Sequence, residues 1–355
     1  MSNLLLSLSS LGWSHFFQQQ LSLEEWESLT PARVLAVHRN AIEVAGEQSC
    51  QLIQMPGSWH MRESEELPTV GDWLLLDPST GQAQRMLERK SLIRRKAAGA
   101  ESKVQLMAAN VDTLFVVTSC NQDFNLSRLE RYLALAWESK VQPVLVITKG
   151  DLVEDISPYQ HQLKGLNPDM PVEFVNALDS SSVASLASWC MGGQTVALVG
   201  SSGVGKSTLI NTLCGEPKQQ TAAIRQDDDR GRHTTTSRTL HPLPTGGLLI
   251  DSPGLRELQL SDCQSGISLV FEDIEELARR CRFNNCHHQS ESGCAIKAAV
   301  ASGELSPRRL ANYRKLMAEQ KRNSESIAEK RLRERNFGKQ IRNVLAAQGK
   351  ERNGE

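Results

Sequence analysis

The stretch Thr195-Val196-Ala197-Leu198-Val199-Gly200-Ser201-Ser202-Gly203-Val204-Gly205-Lys206-Ser207-Thr208 decides the fold. An apolar run ends in a glycine-rich turn and Leu209-Ile210-Asn211 continue with helical character, so the segment reads as strand, phosphate loop and helix. The glycines let backbone N–H groups turn toward the α- and β-phosphates, and Lys206 reaches the β- and γ-oxygens. The Ser207 hydroxyl is placed for Mg²⁺, and Thr208 opens a helix whose N-terminus favours an anion.

Working outward, Asp251-Ser252-Pro253-Gly254 follows a second apolar run, Leu248-Leu249-Ile250. Here the Asp251 carboxylate holds Mg²⁺ through water and the Gly254 N–H faces the γ-phosphate. Upstream, Thr148-Lys149-Gly150-Asp151 closes another apolar run. A carboxylate at Asp151 accepts from both N1–H and the exocyclic amine of guanine, which adenine does not offer together, while the Lys149 stem covers the base face. Asn176-Ala177 presents a backbone N–H to the guanine O6. The base-reading motif thus precedes the phosphate loop, an order that implies a circularly permuted GTP hydrolase. Leu255 stands where many GTPases place the glutamine that orients the attacking water, so slow intrinsic hydrolysis is expected. Between the two phosphate motifs lies Gly231-Arg232-His233-Thr234-Thr235-Thr236, in a charged stretch that suits a mobile switch. Thr235 is the candidate to complete the Mg²⁺ shell. His233 is the candidate to orient or deprotonate water, against the alternative of a surface histidine on a flexible loop.

At 355 residues the chain is long enough for two or three domains, and its 40 basic and 41 acidic side chains leave no global charge argument for nucleic acid. The opening residues lack a basic leader pattern and no uncharged apolar run reaches membrane-spanning length, so a cytoplasmic protein without membrane contact is expected.

Four regions follow from the patterning: an N-terminal helical extension (1–29), an OB-type β-barrel (30–104), the permuted P-loop GTPase domain (105–258) and a zinc-binding, basic helical domain (259–355). The whole is multidomain α/β, with a mainly parallel central sheet. Arg89, Lys90, Arg94, Arg95 and Lys96 at the end of the barrel offer a basic run for RNA, although such a run is also what a solvated face looks like. The C-terminal basic residues, from Arg308, Arg309, Arg314, Lys315, Lys321 and Arg322 onward to Lys330, Arg331, Arg333, Arg335, Lys339 and Arg342, carry the same two readings.

Eight cysteines in a chain of this length do not form a disulfide framework. Cys281, Cys286, His288 and Cys294 make a Cys-x4-Cys-x-His-x5-Cys array that suits one structural Zn²⁺ with a closed tetrahedral shell. His287 is a competing imidazole. The remaining cysteines, Cys50, Cys120, Cys190, Cys214 and Cys263, read as buried or partly buried thiols.

These motifs, in this order and over nearly the whole chain, resemble the circularly permuted bacterial GTPases of the ribosome small-subunit-dependent GTPase A family (RsgA, also YjeQ). The resemblance implies an N-terminal OB-fold, a permuted GTPase domain and a zinc domain acting together in late maturation of the small ribosomal subunit. It also implies binding to that subunit and its rRNA, GTP hydrolysis to GDP stimulated by it, and participation of His233. A monomer is expected. Thr148 stands where Asn is common and Asn176 where Ser or Thr is usual. Two other readings are a non-enzymatic, GTP-sensing RNA-binding assembly factor and a GTPase acting on another RNA.

Overall fold

The computed structural model describes residues 7–47, 49–61, 63–96, 104–215, 238–252, 263–289 and 291–324. Strands β1 (Thr30–Val37), β2 (Ala41–Gly46), β3 (Ser49–Gln54), β4 (Trp73–Leu76) and β5 (Ala83–Met86) lie in the order β3-β2-β1-β4-β5, every neighbour antiparallel. That is the order of a partly open OB-type barrel. Val34, Ile42, Val44, Leu74 and Leu76 point inward around Trp59 and give it a core of its own. β6 (Leu92–Lys96) and β7 (Val104–Ala109) then form an antiparallel ribbon that spans the expected division at 104/105.

The central sheet contains β8 (Thr113–Ser119), β9 (Gln142–Thr148), β10 (Val172–Val175), β11 (Thr195–Val199), β12 (Thr239–Pro242) and β13 (Leu248–Asp251). Its order is β10-β9-β8-β11-β13-β12, and all pairs are parallel except β12 with β13. Every residue of β8 and β11 is buried, as strands covered on both faces require. From β8 the chain proceeds outward to β9 and β10, whereas from β11 it proceeds the other way to β13. The reversal between β8 and β11 is a topological switch point, beyond whose carboxyl ends ligands bind. β12 also pairs with β1 through Ala36 and Thr239, so the barrel continues the edge of this sheet.

Among its described residues the N-terminal segment is helical at α1 (His15–Gln18) and α2 (Leu23–Ser28), a smaller share than its apolar spacing predicts. Its apolar residues pack against the barrel instead: Leu11 and Phe17 join Trp73, Leu75 and Leu87, and Trp13 meets Trp73 edge-on at 4.8 Å. Each fully buried Leu or Phe contributes about 1.5–3 kcal/mol. Gly193, at φ 76°, passes so close that a Cβ there would lie 2.2 Å from the Ser9 carbonyl. Arg33, 1% exposed, ties this junction together by donating to the carbonyls of Leu11, Gly71 and Asn110.

Helices α3 (Leu126–Glu138), α4 (Ser157–Lys164), α5 (Ser180–Val183) and α6 (Lys206–Cys214) belong to the central unit. They are followed by α7 (Gln264–Val270), α8 (Glu272–Arg279), α9 (Ala295–Ser302) and α10 (Pro307–Ser324). α7 lies so tightly on α3 that a Cβ at Gly266 would meet the Ala134 carbonyl oxygen at 1.9 Å. Glu130 of α3, wholly buried, accepts from Arg308 at 2.9 Å, Arg309 at 3.0 Å and Asn312 at 2.5 Å, all on α10.

Both basic runs are therefore corrected in part. Arg309 is 7% exposed and also grips Asp273 through two bonds of 2.8 Å, so it fastens helices together, while Arg308 pairs with Glu130 and keeps part of its side chain exposed. In the barrel run, Arg89 makes a forked pair with buried Asp72, Lys90 pairs with Asp112, Arg94 with Glu65, and Arg95 donates to Gln105. Each acid partner is remote in sequence, which is why local charge alone misleads. Arg314, Lys315, Lys321 and Arg322 do face outward, whereas Lys330, Arg331, Arg333, Arg335, Lys339 and Arg342 lie outside the described residues. No helix among the described residues is long and apolar enough to cross a membrane.

Candidate nucleotide and metal sites

The predicted phosphate loop leaves β11 at the switch point and ends in the first turn of α6. Gly200 has φ 149° and a Cβ there would lie 2.2 Å from the Val117 carbonyl oxygen, so glycine is required where the loop crosses β8. Gly203 and Gly205 also hold positive φ, which lets the intervening N–H groups turn toward one side. Val204 is buried and anchors the turn, while Ser202 and Gly203 are exposed at its tip. Lys206, 6% exposed, folds over the loop and donates to the carbonyls of Gly200, at 2.8 Å, and Ser201. Ser207 and Thr208 are half-buried at the start of α6.

The base-reading motif reaches the same place from β9. Thr148, with no exposed surface, donates its hydroxyl to the Val204 carbonyl at 2.6 Å, and the Thr118 carbonyl lies 3.2 Å away. Lys149, at φ 59°, donates from Nζ to the Gly203 carbonyl at 2.8 Å. A hydroxyl on the shorter threonine side chain thus fastens the base motif to the phosphate loop without an amide. Asp151 stands exposed in the turn Gly150–Leu152 immediately beyond. Asn176 is fixed by its own turn, its N–H on Ser182 Oγ at 2.8 Å and its side-chain oxygen accepting from Leu178 N–H at 3.0 Å. Ala177 is 7% exposed, and its carbonyl accepts from Thr212 of α6 at 2.6 Å.

Replacing Thr148 with Val keeps the shape and removes the hydroxyl, leaving the buried Val204 carbonyl without that donor. Such a loss costs about 1–3 kcal/mol, and we expect nucleotide affinity to fall about tenfold in a fluorescent-GDP titration. An unchanged affinity would show that this bond does not position the loop.

Asp251 ends β13, which lies beside β11 with Ile250 opposite Ala197. Ser252 is 5% exposed and its hydroxyl has no partner among the described residues, a polar atom suited to a bound ion and its water. Gly254, His233 and Thr234 to Thr236 lie outside the described residues.

Two groups near the loop belong to none of the sequence motifs. Arg128, in the first turn of α3, donates to Ser201 Oγ. Thr212 links α6 to the Asn176-Ala177 turn. The only signal for Arg128 was its place after a strand end.

The Cys/His array converges. Ligand atoms of Cys281, Cys286, His288 and Cys294 all lie within 4.8 Å of one another. Cys281 Sγ and Cys294 Sγ are 3.9 Å apart, and each is 3.5 Å from His288 Nδ1. A tetrahedron with metal–sulfur bonds of about 2.3 Å and metal–nitrogen bonds of about 2.0–2.1 Å has edges of about 3.8 and 3.5 Å. Burial alone would raise the Cys281 thiol, but N–H groups of Ala295 and Ile296 at the start of α9 hold it below its usual value. Burial and the nearby Arg314 guanidinium lower the His288 value, which favours the neutral ligand form. His287 is exposed, its N–H on Glu291, and takes no part in the cluster. Of the other thiols, Cys120, Cys190, Cys214 and Cys263 are buried, and burial pushes Cys190 up to about 12. Cys50 is exposed on the barrel, contrary to expectation, because its position in β3 faces outward.

A parallel sheet carrying a phosphate loop, with its base-reading strand earlier in the chain, defines a circularly permuted P-loop GTPase. The RsgA GTPase family model matches residues 86–261. The chain is 51% identical to the small ribosomal subunit biogenesis GTPase RsgA 2 of Vibrio parahaemolyticus, over 96% of this chain and 93% of that one. It is 46% identical to the RsgA protein of Mesorhizobium japonicum, over 90% of this chain and 91% of that one. Among solved structures it is similar to YjeQ from Thermotoga maritima (TM-score 0.62, 24% identity, 82% of this chain, 98% of that one). It is also similar to YloQ, described as a circularly permuted GTPase (TM-score 0.59, 25% identity, 84% of this chain, 97% of that one). An ABC transporter model also matches residues 186–347, a span that includes the phosphate loop but omits Thr148 to Asp151. The chain belongs to the RsgA GTPase family.

Proposed function

We propose that this GTPase acts in late maturation of the small ribosomal subunit, binding the subunit and its rRNA and hydrolysing GTP to GDP and phosphate there. The observation that supports the reading is the contact of Thr148 and Lys149 with Val204 and Gly203, which joins the base motif to the phosphate loop. In this reading Gly200 to Thr208 cradle the phosphates, with Lys206 as the catalytic cation. Thr148, Lys149, Asp151, Asn176 and Ala177 hold the base, and Gly254 meets the γ-phosphate. Ser207, Thr235 and Asp251 serve Mg²⁺, which neutralises charge on the phosphate oxygens when bound. His233 orients the attacking water, a role supported by its place between the two phosphate motifs and by the family resemblance.

The Cys281, Cys286, His288 and Cys294 cluster holds one structural Zn²⁺, since three thiolates and an imidazole select that ion over the oxygen-seeking divalents. Beside it, Phe283 is 45% exposed with the Arg282 guanidinium 5.4 Å from its ring centroid, and Arg279 and Arg280 are exposed nearby. An aromatic face flanked by cations suits an unpaired RNA base and its phosphates. The division into 1–29, 30–104, 105–258 and 259–355 serves as a working map of a monomeric, cytoplasmic protein. GTP orders the His233 loop, the barrel and metal domain take one orientation on the immature subunit, and hydrolysis releases the protein. Cosedimentation with purified subunits tests the partner: association with small subunits in a non-hydrolysable GTP analogue, weakened in GDP, is expected. Equal association with large subunits would overturn it.

A further inference from the structure

Arg128 reaches the phosphate loop from the first turn of α3, where its N–H is accepted by the capping Asn125 side chain at 3.0 Å. α3 follows β8, the neighbour of β11, so this turn opens on the same carboxyl edge as the loop. The guanidinium donates to the Ser201 hydroxyl, while the Lys206 ammonium donates to the Ser201 carbonyl. Two cations from different helices therefore converge on one residue of the loop. No carboxylate among the described residues pairs with Arg128. Because the loop lysine is the group that reaches the β- and γ-oxygens, Ser201 marks the terminal-phosphate end of the site.

The geometry points to Arg128 as an arginine supplied in cis that leaves Ser201 Oγ to contact the terminal phosphate of GTP in the transition state. This rests on the GTPase reading above and adds a catalytic residue to it. In the step itself, water oxygen bonds to the γ-phosphorus and the bond to the β–γ bridging oxygen breaks. One water proton passes to phosphate or solvent. Arg128 exchanges no proton; its planar fork offsets the charge that spreads over the γ- and bridging oxygens. Leu255 cannot orient water as a glutamine does, so electrostatic stabilisation carries a larger share of the rate. The carrier helix is well held: Glu130, in the same turn, is clamped by Arg308, Arg309 and Asn312 of α10. Arg128 therefore extends from a helix that α10 holds in place.

Single-turnover GTP hydrolysis and GDP binding, with and without aluminium fluoride, should be compared for the wild type, Arg128→Ala and Arg128→Lys. The Ala variant is expected to lose about 10²-fold in hydrolysis rate and the fluoride-dependent tightening of GDP. Its GDP affinity should stay within about threefold of wild type. Lys should recover only part, because a point charge does not bridge two oxygens. Hydrolysis by the Ala variant within about threefold of wild type, with the fluoride complex intact, would overturn the assignment. Parallel loss of GDP binding would also overturn it, as the mark of a residue that merely props Ser201. A wild-type protein with neither GTP turnover nor a fluoride complex would instead remove the GTPase reading, and this assignment with it.

Discussion

Asp151→Asn is expected to turn the protein from a GTP-preferring to a xanthosine-triphosphate-preferring enzyme. A carboxylate offers two acceptors, which match the N1–H and 2-amino donors of guanine. An amide offers one acceptor and one donor, so against guanine one charge-assisted bond is lost and two N–H groups oppose each other. Bonds of this kind are worth about 1.5–3 kcal/mol, and the repulsion adds to the loss. GTP affinity should therefore fall about 10²-fold. Xanthine carries a carbonyl in place of the 2-amine, so the same amide matches it in both directions. Asp151 is exposed in the turn after Lys149, and its replacement by an isosteric amide leaves the core untouched. Competition binding with GTP, XTP and ATP measures the switch. Retained GTP preference would show that another group reads the base.

The second large effect concerns the metal. Structural zinc in small sites supplies about 10–16 kcal/mol of apparent folding free energy, which equals or exceeds the stability of a typical domain. Cys281, Cys286, His288 and Cys294 come from a loop and from the start of α9, and the three cysteines share one apolar core with buried Ile274, Ile296, Leu305 and Leu310. Without the ion, thiolates that stand 3.9 Å apart lose the charge that holds them together. Metal analysis should give about one zinc per chain, as a closed four-ligand site requires. Chelation or Cys286→Ser should unfold the C-terminal region, seen as loss of helical circular dichroism and a transition well below that of the untreated protein. A melting curve indifferent to chelation would mean that the cluster is not a structural metal centre.

What the sequence made legible was local. A glycine-rich loop after an apolar run, an Asp-x-x-Gly turn and closely spaced metal ligands declare themselves within a few residues, and the base motif standing ahead of the phosphate loop implies the permuted sheet. The elements resting on distant partners were not legible. Nothing near Glu130 announces that Arg308, Arg309 and Asn312 will close on it, so Arg309 proves to be an internal fastener and Arg308, still partly exposed, shares the same carboxylate. Arg89 and Lys90 have partners of the same distant kind, since Asp72 and Asp112 approach them only through the fold. Thr148 showed as a departure from the usual Asn, but its bond to Val204 depends on the crossing of two loops from neighbouring parts of the sheet. The N-terminal residues carried a helical pattern that α1 and α2 keep only in short pieces, because Leu11, Trp13 and Phe17 pack against Trp73 of the barrel. Long-range packing overrode a weak local preference there.

GTP hydrolysis by the purified protein alone, with small ribosomal subunits and with large subunits, and with ATP as the control nucleotide, tests the central claim most directly. The account predicts slow turnover of GTP by the free protein, strong acceleration by small subunits, little by large subunits, and none of ATP. Equal rates with and without small subunits would contradict it.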